Sequence, residues 1–222
     1  MEILYEDNHL ISIVKPFCIP SQGDNTGDKS IFDLVKAYIR TKYAKPGNVY
    51  VGLLHRLDRP VGGVMLLAKT SKAAARMSKQ FQDREVQKIY CAVTERIPTT
   101  ANGELHHHLR KIGGKNIMRA FSKPVAHSKE AKLSYSVLQT AGSRALVEIY
   151  PQTGRRHQIR VQLANIGCVI VGDVKYGKTS FNPDKSICLF AKSLRFIHPV
   201  QKKEIFLSAK LPLSGPWKDF RS

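Results

Sequence analysis

The strongest constraint on the fold is a short polar segment that leads directly into an apolar run. Residues 55–63 read H-R-L-D-R-P-V-G-G, and Val64–Ala68 is apolar throughout. A continuous apolar run after turn residues is typical of a buried strand. The two glycines suit a tight turn or a close approach of backbones. We therefore expect Asp58 to lie on a loop that feeds a core strand, where rigid support can direct its carboxylate.

A carboxylate between arginines is, by itself, more often a surface ion pair than a functional group. Asp58 has Arg56 before it and Arg59 directly after it. A solvated loop with ion pairs is therefore the ordinary interpretation of residues 55–63. The choice between this interpretation and a functional carboxylate depends on other parts of the chain.

The charge of the chain narrows the class of partner. Its 222 residues carry 36 Lys and Arg against 17 Asp and Glu, a formal net charge of +19. This excess predicts a polyanionic partner, with nucleic acid favoured over an acidic membrane surface. No apolar run is long enough to cross a membrane, and the N-terminus lacks a signal-peptide pattern. The four cysteines form no C-x-x-C pair, which favours reduced thiols in a cytoplasmic protein over a metal site.

Periodicity predicts strands and helices in an irregular order, within one domain over residues 1–222. We expect an α+β fold in which a largely antiparallel mixed sheet is flanked by helices. Two helices are predicted after the N-cap residues Ser30 and Ser71, ending near Tyr43 and Asp83. The predicted strands are residues 3–5, 10–14, 64–68, 86–94, 133–138, 145–150, 187–196 and 205–210.

The most basic region is residues 106–132, where seven Lys and Arg residues stand against one acid, Glu130. We interpret it as a strand followed by a mobile loop that returns at Leu133. The loop is either a solvated insertion or a phosphate-gripping segment, and the total charge favours the second. Consecutive histidines on a strand point to opposite faces, so the histidines at 106–108 make a poor metal site and suit an anion contact.

A second polar segment, residues 152–161, reads Q-T-G-R-R-H-Q-I-R-V. We predict a helix from about His157 to Ile166. Arg156 and Arg160 are four residues apart, so they are expected to share a helix face that differs from the apolar one. Two solvated arginines are the ordinary interpretation of such a pair.

Residues 55–63 resemble the signature H-R-L-D-R-x-T-S-G of the RluA-like family of pseudouridine synthases. The chain has Val61 and Gly62 where Thr and Ser are usual, which affects hydrogen bonding in the loop and not the carboxylate. Other segments resemble family motifs in the same order: I-L-Y-E-D at 3–7, K-x-Y at 88–90, T-G-R-x-H-Q-I-R-V at 153–161 and G-D-x-x-Y-G at 172–177. The resemblance covers about residues 2–212 and reverses the ordinary interpretation of both polar segments.

The resemblance implies an isomerase that converts uridine to pseudouridine within RNA. The bond from C1′ to N1 is broken and the base is rejoined through C5, which requires the uridine to be flipped out of its stack. Asp58 matches the nucleophile or covalent catalyst, Tyr90 the residue that lies against the base and takes part in deprotonation, and Arg160 the partner of the catalytic carboxylate. A guanidinium can hold a carboxylate bidentately and keep it ionised. No metal or redox cofactor is expected.

The resemblance also implies an RNA cleft across the sheet. Arg56 matches a position that inserts into RNA where the base leaves, and His55 and Arg59 are expected RNA contacts. Further expected RNA contacts are Arg110, Lys111 and Lys115 of the basic region at 106–132, and Arg156 of the polar segment at 152–161. The substrate is expected to be rRNA, tRNA or both, and the protein a cytoplasmic monomer. Because the family pattern begins almost at Met1, no preceding S4-type RNA-binding domain is expected.

Two other functions fit part of the sequence. A non-catalytic RNA-binding or ribosome-assembly protein that keeps the fold would explain the charge equally well. It would need no carboxylate among phosphate-binding groups, so the joint presence of Asp58, Tyr90 and Arg160 argues against it. DNA binding fits the charge and explains none of the motifs. The basic face of the second predicted helix fits a solvated surface and an RNA-facing one equally well.

Overall fold

The protein was studied as a computed structural model that describes residues 1–24, 26–44, 46–113, 116–177, 182 and 184–220. The chain forms two compact units: Met1–Gln87 with Ala191–Ala209, and Lys88–Phe190 with Lys210–Ser222. Each unit contains helical segments and strands that pair antiparallel, which confirms the predicted α+β class and its largely antiparallel character. The extent of a single domain over residues 1–222 and the RNA cleft stay predictions.

The elements of the described part of the chain follow the predicted order closely. A 3₁₀ helix at Gly215–Phe220 follows the last strand. The strands and α-helices are β1 (Glu2–Glu6), β2 (Leu10–Lys15), α1 (Ile31–Lys42), β3 (Gly52–Leu53), β4 (Gly62–Ala68), α2 (Ser71–Gln82), β5 (Gln87–Thr94), β6 (Asn102–Lys111), β7 (Met118–Phe121), β8 (Lys129–Ala141), β9 (Arg144–Pro151), α3 (Gln158–Asn165), β10 (Leu189–Ile197) and β11 (Glu204–Ser208).

The first unit is built around β4, which is buried along its whole length, as its apolar sequence predicts. The strand order is β1-β2-β4-β10, with β3 paired to β4 and β11 to β10. Helix α1 packs Ile31, Val35 and Ile39 into a core shared with Ile13 of β2 and Met65 of β4. Each such side chain contributes roughly 1.5–3 kcal/mol when it is removed from water. This core supports the loop that enters β4.

The helix starts show how local sequence fixes the ends of these elements. Ser30 caps α1 in a capping box, because its hydroxyl accepts from the Asp33 N–H while the Asp33 carboxylate accepts from the Ser30 N–H. The predicted cap of α2 was wrong by one residue. Thr70 is the N-cap there, and its hydroxyl accepts from the Ala73 N–H, so Ser71 is the first helical residue.

The second unit contains strands in the order β5-β9-β8-β6-β7. The expectation that residues 106–132 form a strand followed by one mobile loop was wrong. Strand β6 continues to Lys111, and β7 pairs back onto it antiparallel. The physical reason lies on the inner face of this hairpin, where Leu109 and Ala120 pack against Val161 of α3. This apolar contact stabilises a hairpin that charge alone would not.

Helix α3 is shorter than predicted and differs in character. It begins at Gln158, because His157 has a left-handed backbone with φ 53°. The expectation that Arg156 and Arg160 share a helix face was therefore wrong: Arg156 precedes the helix. Arg160 does not lie on a solvated face, since its side chain is only 5% exposed.

Two features expected from the sequence concern the cysteines and membrane-spanning segments. The four cysteines are free thiols, as predicted, and all except Cys18 are buried. The longest helices in the described residues have 12 residues, too few to cross a membrane.

One ionic cluster ties β1 to α1 and to the residue after β4. Glu6 is 8% exposed, and its carboxylate accepts from Lys42 Nζ, Lys69 Nζ and Tyr43 Oη at 2.7 Å each and from Tyr38 Oη at 3.0 Å. Burial by itself would raise the pKa of Glu6. The hydrogen bonds from the two lysines and two tyrosines outweigh it and lower the pKa to about 2.

We predict that Glu6→Gln lowers the free energy of unfolding by roughly 2 kcal/mol at neutral pH. The buried Lys69 ammonium would lose its anion. Because the folded-state pKa of Glu6 is depressed, its contribution is complete above the ordinary value of 4.5 and is lost as the pH falls towards 2. Urea titrations over this range should show the difference between variant and wild type shrinking in acid. A difference independent of pH would contradict the assignment, and the exposed Glu204→Gln serves as the control.

Candidate functional site

The loop that carries Asp58 is fixed by hydrogen bonds on both sides of that residue. The Ser21 hydroxyl donates to the Leu57 carbonyl oxygen at 2.7 Å and accepts from the Leu57 N–H at 3.1 Å. On the other side, the Val61 N–H donates to the Asp58 carbonyl oxygen at 3.0 Å. Leu57 is buried and Asp58 is half-buried. The backbone therefore limits the positions that the Asp58 carboxylate can reach.

The two glycines that follow allow close packing, as the sequence predicts. Gly63 has φ +118°, and a Cβ built there would lie 2.3 Å from the Ala191 carbonyl oxygen. A Cβ on Gly62 would lie 3.0 Å from the ring of Phe17. A serine at position 62 would therefore require the Phe17 ring to shift by a few tenths of an ångström.

A buried lysine, directly after the predicted strand of residues 10–14, supports the same loop. The Lys15 side chain is fully buried, and Nζ donates to the carbonyl oxygens of Pro16 at 2.9 Å and Arg59 at 3.2 Å. Burial lowers the pKa of Lys15 to about 7, although Cys18 and the Asp58 carboxylate favour the charged form. In the sequence, Lys15 could have been singled out because it directly follows a predicted strand and precedes a proline.

The other predicted contacts of the first unit differ in their surroundings. Arg56 is exposed. His55 is half-buried; its Nε2 accepts from the Leu66 N–H at 3.0 Å, and its ring stacks on Phe81 with centroids 5.1 Å apart. His55 therefore links the loop to β4 and α2, and its contact with RNA stays a prediction.

Arg59 is engaged by the acidic loop that precedes α1. Its Nη2 donates to both carboxylate oxygens of Asp24, at 2.8 and 2.9 Å, and its guanidinium also contacts Asp28 and Thr26. Exposed ion pairs of this kind are individually weak and are screened by salt. A phosphate would have to compete with these carboxylates for Arg59, so the predicted RNA contact carries this cost.

In the second unit, the catalytic candidates lie on β5 and α3. Tyr90 is half-buried on β5, opposite Ile149 of β9. Arg160 forms a two-point ion pair with Asp173, with Nε–Oδ2 2.7 Å and Nη2–Oδ1 2.8 Å. Asp173 is 1% exposed. The segment G-D-x-x-Y-G thus supplies a buried anion that sequence reasoning missed, and the expected pairing of Arg160 with Asp58 stays a prediction.

The outer face of the β6–β7 hairpin is cationic. Arg110 lies directly opposite Arg119, and the guanidinium carbons of these residues lie 5.1 and 5.5 Å from the ring centroid of Phe121. We call these three residues the arginine face. Lys111 is exposed at the end of β6, and Lys115 lies outside the described residues.

The three consecutive histidines divide between the two faces of β6, as predicted. His106 lies 3.0 Å from Glu130 on the outer side, and its ring centroid is 5.7 Å from that of His108. The ring of His107 lies on the inner side, 3.0 Å from the side-chain amides of Gln162 and Asn165 of α3. Their expected contact with an anion stays a prediction, as does that of the exposed Arg156.

Comparison with known proteins gives consistent matches. The family model described as RNA pseudouridylate synthase matches residues 9–165. The ribosomal large subunit pseudouridine synthase C of Rickettsia felis is 34% identical over 214 residues, which cover 95% of this chain and 67% of that protein. The tRNA pseudouridine synthase C of Haemophilus ducreyi is 33% identical, covering 95% of this chain and 91% of that protein. The solved structure of human RNA Pseudouridylate Synthase Domain Containing 4 matches with a TM-score of 0.78 at 28% identity, over 95% of this chain and 88% of that one.

The buried lysine predicts a specific dependence of stability on pH. The folded chain releases the Lys15 proton near pH 7, whereas the unfolded chain keeps it up to the ordinary value of 10.5. Between these limits the unfolded state binds more protons, so stability rises with pH, by about 1.4 kcal/mol per unit for one group.

Lys15→Met should remove this rise while filling most of the same space. Urea unfolding from neutral to mildly alkaline pH should give a wild-type curve that gains on the variant as the pH rises. Parallel curves would contradict the assignment. Lys202→Met, at an exposed lysine of the same unit, should follow the wild type.

Proposed function

Since the chain belongs to the RNA pseudouridylate synthase family, we propose that it isomerises uridines in rRNA, tRNA or both, with Asp58 as the nucleophile. The RluA-like membership predicted from the motifs is confirmed, and members of this family are isomerases that act on RNA. The observation that carries the proposal is the family match over residues 9–165, which includes the loop of Asp58, the strand of Tyr90 and the helix of Arg160.

The proposed reaction exchanges one bond of the nucleotide for another. The C1′–N1 bond breaks and a C1′–C5 bond forms, while C5 loses its proton and N1 gains one. The target uridine is flipped out of the RNA, because its reacting atoms are inaccessible inside a stack. Asp58 acts as nucleophile or covalent catalyst in its ionised form. The hydrogen bonds of Ser21 and Val61 to the adjoining backbone support this role, since they hold the carboxylate in place.

Tyr90 and Arg160 complete the proposed catalytic set. Tyr90 lies against the extruded base and takes part in removing the C5 proton. An aromatic ring with a hydroxyl suits this task, because it stacks on a base and carries a polar group into an apolar site. Arg160 keeps the catalytic carboxylate ionised. The two-point contact with Asp173 supports this role, because it fixes the plane of the guanidinium.

RNA is the proposed partner, held mainly through its phosphates. The net charge of +19 supports this, as does the arginine face, where two guanidinium groups flank an aromatic ring. The relatives named above act on large-subunit rRNA and on tRNA, so both RNA classes are proposed. The remaining proposed contacts are His55, Arg56, Arg59, Lys111, Lys115 and Arg156. The monomeric state, the cytoplasmic location and the lack of metal and cofactor stay predictions.

The test of the chemistry is tritium release from RNA labelled at uridine C5. Unmodified large-subunit rRNA and tRNA are offered separately to the wild type and to Asp58→Asn. We expect the wild type to release tritium from at least one RNA, and Asp58→Asn to be slower by at least about a thousandfold. Asn has nearly the same shape as Asp and lacks the nucleophilic charge, so RNA binding should be retained.

Asp83→Asn is the matched control, because Asp83 forms an exposed ion pair with Lys79 at 2.7 Å. Its release rate should stay within about twofold of the wild type. Wild-type rates in Asp58→Asn would overturn the assignment of the nucleophile. Tight binding of both RNAs without release by the wild type would favour the non-catalytic RNA-binding protein.

The arginine face makes a separate prediction about salt. The double variant Arg110→Ala/Arg119→Ala should weaken RNA binding and reduce the slope of log Kd against log salt by about 2, because two phosphate contacts are lost. Fluorescence anisotropy with labelled RNA at several salt concentrations measures the slope. Arg40→Ala/Lys203→Ala removes the same charge from exposed positions of the first unit. Equal slopes in the two double variants would argue against a specific role for the arginine face.

A further inference from the structure

Tyr176 joins three parts of the second unit. Its hydroxyl oxygen accepts from the Met118 N–H, the first residue of β7, at 3.0 Å. The same oxygen lies 2.8 Å from Nδ1 of His157, the N-cap of α3. Its ring lies under Arg160, with the guanidinium carbon 5.4 Å from the ring centroid. One side chain thus contacts the hairpin, the start of α3 and the arginine of the proposed catalytic set.

The hydroxyl contacts are complementary. Because the Met118 N–H occupies one lone pair of the Tyr176 oxygen, the hydroxyl hydrogen is available to donate to Nδ1 of His157. A neutral His157 ring protonated on Nε2 accepts this hydrogen bond at Nδ1, whereas a ring protonated on Nδ1 donates to the tyrosine oxygen, so the two side chains are linked in either tautomer. The hydroxyl therefore bridges β7 and α3, and its removal takes away this polar link while the ring and the apolar contact of Ala120 with Val161 stay in place.

The ring has a second, separate task. It is packed with Leu109, Ala131 and Val161 on the inner face of the hairpin, where it also borders Met118. On its other side it supports the guanidinium of Arg160, which Asp173 holds edge-on. A cation over an aromatic face within about 6 Å is attracted to it, and more strongly where water is excluded. Ring and carboxylate together fix the guanidinium.

We propose that Tyr176 is a positioning residue with two roles. Its hydroxyl holds the β6–β7 hairpin in the arrangement that binds RNA, and its ring holds the guanidinium of Arg160 in place. The proposal rests on the proposed function, because it assigns RNA binding to the hairpin and a catalytic role to Arg160. The arginine face is carried on the outer side of the same hairpin whose inner side Tyr176 anchors. A hairpin fixed at Met118 presents its cations in one arrangement and loses less entropy when RNA binds.

Two variants of Tyr176 test the role of the hydroxyl separately from that of the ring. Tyr176→Phe keeps the ring and removes the bridge, so KM for RNA should rise by about tenfold with kcat within about twofold of the wild type. Tyr176→Leu removes both, so kcat should fall as well. Tyr135→Phe is the matched control, because Tyr135 is also buried in this unit and its hydroxyl bonds only to Thr100 at 3.0 Å among the contacts described. It should leave KM and kcat unchanged.

A double-mutant cycle distinguishes positioning from a general loss of structure. If Tyr176 acts through the hairpin, Tyr176→Phe should raise KM by less than about twofold when Arg110 and Arg119 are already alanine. A tenfold rise in both backgrounds would mean that the hydroxyl acts on the unit as a whole and would overturn the proposal. So would an unchanged KM in the single variant.

A measurement independent of catalysis separates this proposal from the proposed function. Hydrogen exchange of the Met118 amide should be faster in Tyr176→Phe than in the wild type and unchanged in Tyr135→Phe. Unchanged exchange at Met118 would overturn the bridge itself. Failure of the wild type to release tritium, with faster exchange at Met118 in the variant, would instead overturn the proposed function and leave the bridge in place.

Discussion

The buried ion pair of Arg160 and Asp173 is the interaction on which the second unit depends. A guanidinium cannot release its proton within a protein, so burial requires a fixed anion and hydrogen bonds that replace water. Asp173 supplies both through two contacts of 2.7 and 2.8 Å. Helix α3 can therefore bury Arg160 among apolar neighbours, and the segment that carries Asp173 also brings Tyr176 beneath the same guanidinium.

The first unit also contains a buried cation, but it is stabilised in a different way. Lys15 is fully buried as well, but backbone carbonyl oxygens surround its ammonium, and its pKa falls to about 7. A lysine can respond to burial by losing its charge, which an arginine cannot do. One unit thus contains a buried cation of permanent charge and the other contains a buried cation whose charge depends on its surroundings, the carboxylate of Asp58 among them.

Sequence reasoning was strongest where one local rule decides the structure. The apolar run of β4 and the capping box at Ser30 belong to this class, as do the glycines that enter β4. It failed where a distant contact decides. The hairpin of β6 and β7 depends on apolar packing against α3, and the left-handed backbone of His157 shortens α3 against its periodicity. The partner of Arg160 could not be read from spacing, because Asp173 lies on a segment whose own pattern indicates only a turn.

The ring of Phe17 has a consequence for how this loop could change over generations. It occupies the space beside position 62, where a Cβ would meet it at 3.0 Å. A serine introduced there alone would force the ring to shift before its hydroxyl could join the loop. A smaller residue at position 17 would remove the obstacle and would leave a void beside Gly62 until the serine arrived. Positions 17 and 62 are therefore coupled. If the serine comes first the intermediate is overpacked, and if the smaller residue at position 17 comes first the intermediate contains a cavity.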